Sequence, residues 1–332
     1  MTITREQFLA ERAKGIGGSD IAAVVGEDPR KTPYQLWREK RGMPHPEGKR
    51  AATRRGHFLE AAILNRYATI VQPAALDRAV QHCDGWRRGN QDARATMSDG
   101  RRIVVEAKSV SRNVFRYTSD PKHSWGDPWS DEVPRRALCQ GLWYGALDDA
   151  QLIDFAVMVV PDDPDEVLGL SADEIVELSE FHVFRAGRSA PVEEYLVEAA
   201  EDFWLNCVLA GVEPEPVNED DVDLRWPTHL AGQLAVATPE IERVLLDYER
   251  EKQLGKEHGE QAAKLHEKLM LFARDAEAIA GPDGKTPYMT LKTHNVAAHQ
   301  RKESTARPLR FTSWWTKHHD KIVARNPAPG AP

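Results

Sequence analysis

Glu106 and Lys108 stand two residues apart in the segment Asp99-Gly100-Arg101-Arg102-Ile103-Val104-Val105-Glu106-Ala107-Lys108. Ile103, Val104 and Val105 make this segment a strand, and residues two apart on a strand share a face. An acid and an amine side by side, with an aspartate at a nearby turn, suit metal-assisted hydrolysis. Two carboxylates hold a hard cation such as Mg²⁺. The ammonium orients a water or balances charge developing on a phosphoryl oxygen. An edge strand with solvated charges gives the same string, so the reading depends on what other segments add.

Several segments add to it. Glu60, on a helix about forty residues earlier, offers a third carboxylate. Gln140 sits on a helix among Leu138, Leu142 and Trp143, where an amide holds a water or a phosphate oxygen. The turn Gly15-Ile16-Gly17-Gly18-Ser19-Asp20 lets backbone N–H groups approach a phosphate at a helix start. There Ser19 offers a hydroxyl and Arg12 a guanidinium. The turn matches neither the Walker A loop nor the dinucleotide fingerprint. The run Lys49-Arg50…Arg54-Arg55 could line a DNA entrance; a solvated loop has the same composition. His318 and His319 are adjacent, and adjacent residues on a helix face different ways. No Ser-His-Asp or Cys-His pattern is visible.

The elements that must position these residues follow from periodicity and punctuation. Short helices are expected over 4–14 and 21–25, the second capped by Ser19 or Asp20. Thr32-Pro33 opens a helix over 34–41. Residues 42–53 read as a loop, 56–67 as a helix, and 92–108 as strand, turn and strand. A long loop rich in Trp, Asp, Pro and Ser fills 113–133, and loops of that length are usually functional. A helix runs from Val133-Pro134 to Gly145, strands cover 151–160 and 180–185, and a helix covers 191–210. This alternation reads as α/β (α+β). Pro, Glu and Asp accumulate over 211–238. From Pro239 to about Ala280 the chain reads as one long charged helix, though Gly255 and Gly259 argue against a continuous coiled coil. Gly281-Pro282-Asp283-Gly284 is a turn, 288–293 a strand, and the tail from Asn326 is Pro/Ala/Gly-rich. The expected division is 1–225, 226–325 and a tail, 326–332.

Bulk composition removes other classes. With 332 residues, one large domain and an accessory region are the natural prior, and 41% hydrophobic residues can bury a core. No apolar run reaches 18 residues and the first residues lack an apolar core, so neither a membrane span nor a signal peptide is expected. Cys83, Cys139 and Cys207 are far apart, form no zinc motif, and fit a reducing cytoplasm. Three dispersed cysteines cannot supply the four thiolates of an iron–sulfur helicase-nuclease. A net charge of −8 argues against a non-specific nucleic-acid coat. It is compatible with an enzyme that needs acids at its metal and only a local basic patch for phosphates.

In order, the segments resemble the YqaJ-type viral recombinase family, the phage lambda-exonuclease-like branch of the PD-(D/E)XK nucleases. The blocks are Gly15 to Asp20 with Lys31-Thr32-Pro33-Tyr34-Gln35-Leu36-Trp37, Gly56-His57-Phe58-Leu59-Glu60, Ala95-Thr96…Asp99-Gly100, Val105-Glu106-Ala107-Lys108, Trp125-Gly126…Val133-Pro134…Gln140, and Phe203-Trp204…Gly211-Val212-Glu213-Pro214. They span roughly residues 5–216. The resemblance implies a restriction-endonuclease-like core, a central mixed sheet flanked by helices, followed here by a long-helix extension.

It also implies roles. Asp99 and Glu106 become metal ligands assisted by Glu60, Lys108 supports the attacking water or the scissile phosphate, and Gln140 completes the core. Arg12 and Ser19 correspond to a 5′-phosphate pocket, with Arg54 and Arg55 at the DNA. One departure stands out. Relatives have Pro-Asp-Gly and a longer gap to the glutamate, whereas Met97-Ser98-Asp99-Gly100 is closely followed by Glu106. In a tight hairpin Asp99 would sit near the turn, which leaves Asp92 as the alternative ligand. The expected activity is a Mg²⁺-dependent deoxyribonuclease, with Mn²⁺ substituting. It would be a cytoplasmic, phage- or prophage-encoded 5′-to-3′ exonuclease resecting linear double-stranded DNA. Its partners would be DNA ends, a single-strand annealing protein and further copies of the chain in a ring. A same-fold nuclease of other polarity and an inactive DNA-binding or assembly protein are the alternatives.

Overall fold

A computed structural model describes residues 12–43, 50–118, 120–162, 169–254, 259–291, 294–296, 304–306, 310–312, 315 and 322. The chain divides into two compact units, residues 1–214 and 215–332.

The first unit is the expected α/β core, a mixed sheet with helices on both faces. Its strands are β1 (Ile16–Gly17), β2 (Ala75–Asp84), β3 (Arg87–Thr96), β4 (Arg102–Ser111), β5 (Leu152–Val160) and β6 (Glu180–Gly187), in spatial order β1-β3-β4-β5-β6 with β2 paired to β3. The apolar run Leu152–Val160 lies at the centre, parallel to β4 and antiparallel to β6. Its side chains are buried on both faces, as such a run requires.

Two helices clamp this sheet. On one face, α3 (Arg50–Val71) lays Leu59, Ile63, Leu64 and Tyr67 over Ala93, Ala95, Ile103, Val105, Ala156 and Met158. On the other, α5 (Arg135–Asp148) approaches β5 at Gly141, where an added Cβ would stand 2.6 Å from Ile153 Cγ2 and 2.9 Å from Phe155 Cζ. The remaining helices are α1 (Gly18–Val24), α2 (Pro33–Lys40), α4 (Arg112–Tyr117), α6 (Ala172–Leu178) and α7 (Ala190–Asp202). The last continues as a wider π-helical stretch, Phe203–Leu209.

Local chemistry sets the helix ends. Thr32 Oγ1 accepts from Gln35 N at 3.0 Å and Gln35 Oε1 accepts from Thr32 N at 3.4 Å, a reciprocal cap with Pro33 at the first position. The expected cap of the preceding helix is revised. It starts at Gly18 with Gly17 as N-cap, and Asp20 reaches back to accept from Gly17 N at 3.1 Å. Helix α3 starts at Arg50, inside the expected loop, and most of the expected 4–14 helix lies outside the described residues.

The second unit has its own sheet, ordered β12-β9-β8-β7, from β7 (Leu230–Val236), β8 (Ala276–Ala280), β9 (Pro287–Thr290) and β12 (Arg310–Phe311). A separate pair joins β10 (His294–Val296) and β11 (Ser304–Ala306). It also holds α8 (Glu219–Arg225), a segment assigned above to the first domain. The long helix expected over 239–280 is corrected to α9 (Pro239–Gln253), α10 (Gly259–Ala273) and strand β8. Gly255 and Gly259 are poor helix formers, and residues 255–258 lie outside the described residues. Arg274, at a left-handed φ of 52°, ends α10 before the apolar Ala276–Ala280 pairs as a strand. Leu245, Leu269, Met270, Ile279, Tyr288, Met289 and Trp315 form this unit's core. Among the described residues no helix is long and apolar enough to cross a membrane.

Candidate active site

Strand β3 changes partner along one edge. Residues 87–88 pair in parallel with β1, and 93–96 pair antiparallel with β4. Between these stretches the β3–β4 ladder opens. Asp92 sits at the opening, and its Oδ2 accepts from Ala107 N at 2.8 Å, satisfying a backbone donor of β4 there. Asp92 therefore lies beside Glu106, whose carboxyl feels its charge.

Glu106 is fully buried. Its Oε2 accepts from Lys108 Nζ at 2.8 Å and from Gln140 Nε2 at 2.7 Å, and Gln140 Oε1 accepts from Lys108 Nζ at 3.1 Å. Strand periodicity presents Glu106 and Lys108 to α5, and α5 returns Gln140 to close the triangle. Glu106 Oε1 is buried with no hydrogen-bond partner among the described residues. Burial pushes the Glu106 carboxyl up to about 8; Lys108 opposes the rise, and the neighbouring Asp92 charge adds to it. Glu60 is half-buried on α3. Burial and then the Asp92 charge raise its carboxyl above the usual range, against His57 and Lys108.

Asp99 does not join this group, which corrects its assignment as a metal ligand. Arg101 O accepts from Met97 N and Met97 O from Gly100 N, both at 2.9 Å, closing a tight hairpin turn with Gly100 at a φ of 84°. At its tip the exposed Asp99 accepts from Arg101 N at 3.0 Å and pairs with Arg101 Nε at 2.7 Å. From Arg102 to Glu106 alone is four strand steps, about 13 Å. The structure therefore sets Asp92, not Asp99, beside Glu106.

Arg12 and Ser19 lie toward the other end of α5. Arg12 pairs with Asp20 at 2.6 Å and Glu39 at 3.3 Å, and Lys40 pairs with Asp20 at 2.7 Å. Burial opposes the Asp20 charge, but Lys40 and Arg12 outweigh it and hold the carboxyl below its usual value. Half-exposed Ser19 is on the first turn of α1. Arg54 is exposed on α3, whereas Arg55 is buried.

Sequence reasoning missed Tyr144. It is buried one turn beyond Gln140, hydrogen-bonds to the Gln140 side chain and feels the charges of Glu106, Asp92 and Asp20. Burial first, then Glu106, raises its hydroxyl far above the usual value. An added Cβ on Gly18 would lie 2.4 Å from Tyr144 Cε1, so the glycine lets α1 seat on this ring. The four-residue spacing from Gln140 was the available signal.

The site's chemistry fits a hard divalent cation. Asp92 and Glu106 offer carboxylate oxygens, one of them buried and unpartnered. No three His, Cys, Asp or Glu side chains among the described residues gather into a metal-holding set. Mg²⁺ accepts such a site, since it commonly takes one or two carboxylates and completes its shell with water and substrate phosphate.

Comparison with known proteins finds similarity to one family and to several solved structures. Residues 7–149 match the model of the YqaJ-like viral recombinase domain. The uncharacterized protein YqaJ of Bacillus subtilis (strain 168) is 38% identical over 66 residues, 20% of this chain and 21% of that protein. The chain thus matches about a fifth of that relative's length. Among solved structures, LHK-Exo in complex with dAMP superposes with a TM-score of 0.43 at 17% identity, over 63% of this chain and 94% of that one. The alkaline exonuclease LHK-Exo from Laribacter hongkongensis gives 0.41 at 16%, over 63% and 94%. A phage-related exonuclease from Haemophilus somnus 129PT gives 0.39 at 14%, over 59% and 96%.

Proposed function

We propose that this protein is a divalent-metal-dependent deoxyribonuclease, an exonuclease that resects one strand of linear double-stranded DNA from its 5′ end. The observation that carries the reading is the Glu106–Lys108–Gln140 triangle beside Asp92, with a buried Glu106 oxygen left unpartnered. The match of residues 7–149 to the YqaJ-like viral recombinase domain model supports it.

A Mg²⁺ held by Asp92 and Glu106, with Mn²⁺ a substitute, would polarise the phosphodiester and acidify a bound water. The chain's own residues do the rest. Lys108 places positive charge where the phosphoryl oxygen gains negative charge. Gln140 fixes Lys108 and Glu106 relative to each other, so neither group must reorganise as charge develops. Glu60, half-buried near the opening, can pass a proton to or from water. Hydrolysis adds water across the P–O3′ bond, leaving a 3′-hydroxyl and a 5′-phosphate. Arg12 and Ser19 hold the terminal 5′-phosphate. The resected duplex offers a 3′ strand to an annealing protein, and further copies of the chain would enclose the DNA.

The test is digestion of linear duplex, labelled on either strand, with Mg²⁺ or EDTA, with 5′-phosphate or 5′-hydroxyl ends. Metal-dependent loss from the 5′-phosphorylated strand is expected, reduced ~100-fold or more in Lys108→Ala. Binding without cleavage of linear or circular DNA would instead mark an inactive binding module. Cleavage from the 3′ end would mark the other polarity.

A further inference from the structure

A cavity of about 110 Å³ opens where the end of α3 meets α6 and the start of β6. Its lining is apolar at Ile70, Met158, Val176 and Phe181 and polar at Arg66, Ser179 and Glu180. Met158 shares with Ala156 and Val160 the face of β5 that packs on α3, whereas Glu106 and Lys108 turn to Gln140 on α5. The cavity therefore lies across the sheet from the triangle. Sites for whole small molecules hold roughly 300–1,000 Å³. This one is nearer the roughly 150 Å³ that admits a benzene ring, room for one apolar side chain.

Two polar groups at the cavity lack partners. Arg66 is exposed, one turn before Ile70 on α3, and makes no ion pair or hydrogen bond among the described residues. Ser179 Oγ is buried with no hydrogen-bond partner among the described residues. Glu180 does not answer Arg66, because its Oε1 is taken by Arg116 at 2.6 Å and Arg112 at 3.9 Å, and its Oε2 lies 3.7 Å from His182 Nε2. A guanidinium and a hydroxyl at one small cavity both donate, so what they accommodate together is an anionic acceptor such as a carboxylate. The cavity is too small to take its apolar and its charged occupant from separate residues. Aspartate and glutamate bring a carboxylate without an apolar branch. A free amino acid brings an ammonium that Arg66 repels. The last residue of a protein, when it is leucine, isoleucine, valine or phenylalanine, brings an apolar side chain and a carboxylate with no ammonium beside them.

We propose that this cavity captures the C-terminal residue of a partner protein, its apolar side chain against Ile70, Met158, Val176 and Phe181 and its carboxylate on Arg66 and Ser179 Oγ. Capture there leaves the triangle uncovered, so a partner stays attached while the other face of the sheet is occupied.

The experiment is fluorescence anisotropy of the full chain with a short glycine/serine peptide that carries fluorescein at its N-terminus and ends in leucine. The free-acid peptide should bind saturably, about tenfold tighter than the same peptide with a C-terminal amide and about tenfold tighter than one ending in serine. In Arg66→Gln the acid and the amide should bind within about twofold of each other, while leucine keeps its advantage over serine. Ser179→Ala should weaken the acid about fivefold. Arg66 is exposed, so its substitution leaves the fold available to be read, and circular dichroism melting verifies it. No saturable binding, equal binding of acid and amide by the unsubstituted protein, or an undiminished preference for the acid in Arg66→Gln overturns the proposal. So does a peptide ending in aspartate that binds as well as the leucine peptide, which would mark an anion contact only. Free leucine competing as well as the peptide would mark an amino-acid site and overturn it too. Cleavage is not part of the readout, so failure of the nuclease reading and failure of C-terminal capture are seen separately.

Discussion

At the scale of single residues, two aspartates were in contention, and their surroundings separate them. Asp99 is exposed and already held by Arg101, whereas Asp92 touches β4 beside Glu106. Asp99→Ala should leave Mg²⁺-dependent cleavage within about twofold, while Asp92→Asn should cost ~1,000-fold, both read as initial rates on labelled duplex. Glu106 adds a pH dependence. Its carboxyl is raised to about 8 in the metal-free fold, so the folded state holds a proton that the unfolded state has lost between the ordinary carboxyl value and about 8. Stability from this group is full at low pH and falls as pH rises through that range. Divalent-ion affinity should run oppositely, rising with pH to about 8 because the ion must displace that proton. Melting temperatures with Mg²⁺ or EDTA at pH 6 and pH 9 check both trends, and Glu106→Gln should abolish the slope in EDTA. Lys108 and Glu106 were legible because their relation is local, two residues on one strand. Asp92 was not singled out first because its relation to Glu106 crosses the sheet, and a single sequence does not print registers.

Elements carry the next level of control. Helix α5 brings Gln140 to Glu106 only because Gly141 lets it lie close against Ile153 and Phe155. Gly141→Ala should therefore push α5 outward, costing about 1–3 kcal/mol of stability and, separately, activity at temperatures where the fold is intact. A melt together with kcat and KM distinguishes the two, and the displaced amide should show mainly in kcat. The same scale explains what composition revealed. The apolar run of β5, the Thr32-Pro33 cap and the amphipathic face of α3 are local signals, and each produced its element. Strand β2 has no such signal. Its residues, Ala75-Leu76-Asp77-Arg78-Ala79-Val80-Gln81-His82-Cys83-Asp84, are largely exposed and are held by pairing with β3, so no apolar alternation announces them. Strand β8 was hidden differently, since Ala276-Glu277-Ala278-Ile279-Ala280 is as acceptable to a helix as to a strand.

For the whole molecule, the division into two units, each with its own sheet and core, separates two kinds of damage. Leu269 is fully buried in the second core, and Leu269→Ala should cost that unit about 2–5 kcal/mol. Amide hydrogen exchange locates the loss. Protection should fall in β8 and β9 while β4 and β5 keep theirs; equal loss in both sheets would show that the two cores unfold as one. The hairpin between β3 and β4 invites a different use. Beyond Asp92 the ribbon first packs Ala93, Ala95, Ile103 and Val105 under α3, and its tip at 97–101 is remote from the acids. Extra residues at the tip lengthen the ribbon without moving either carboxylate, so a tag or a fluorophore can be spliced there. A single residue inserted between Asp92 and Ala95 is another matter, because it turns Asp92 toward the opposite side of the sheet. Tolerance to insertion thus changes from permissive to forbidden within half a dozen positions of one strand.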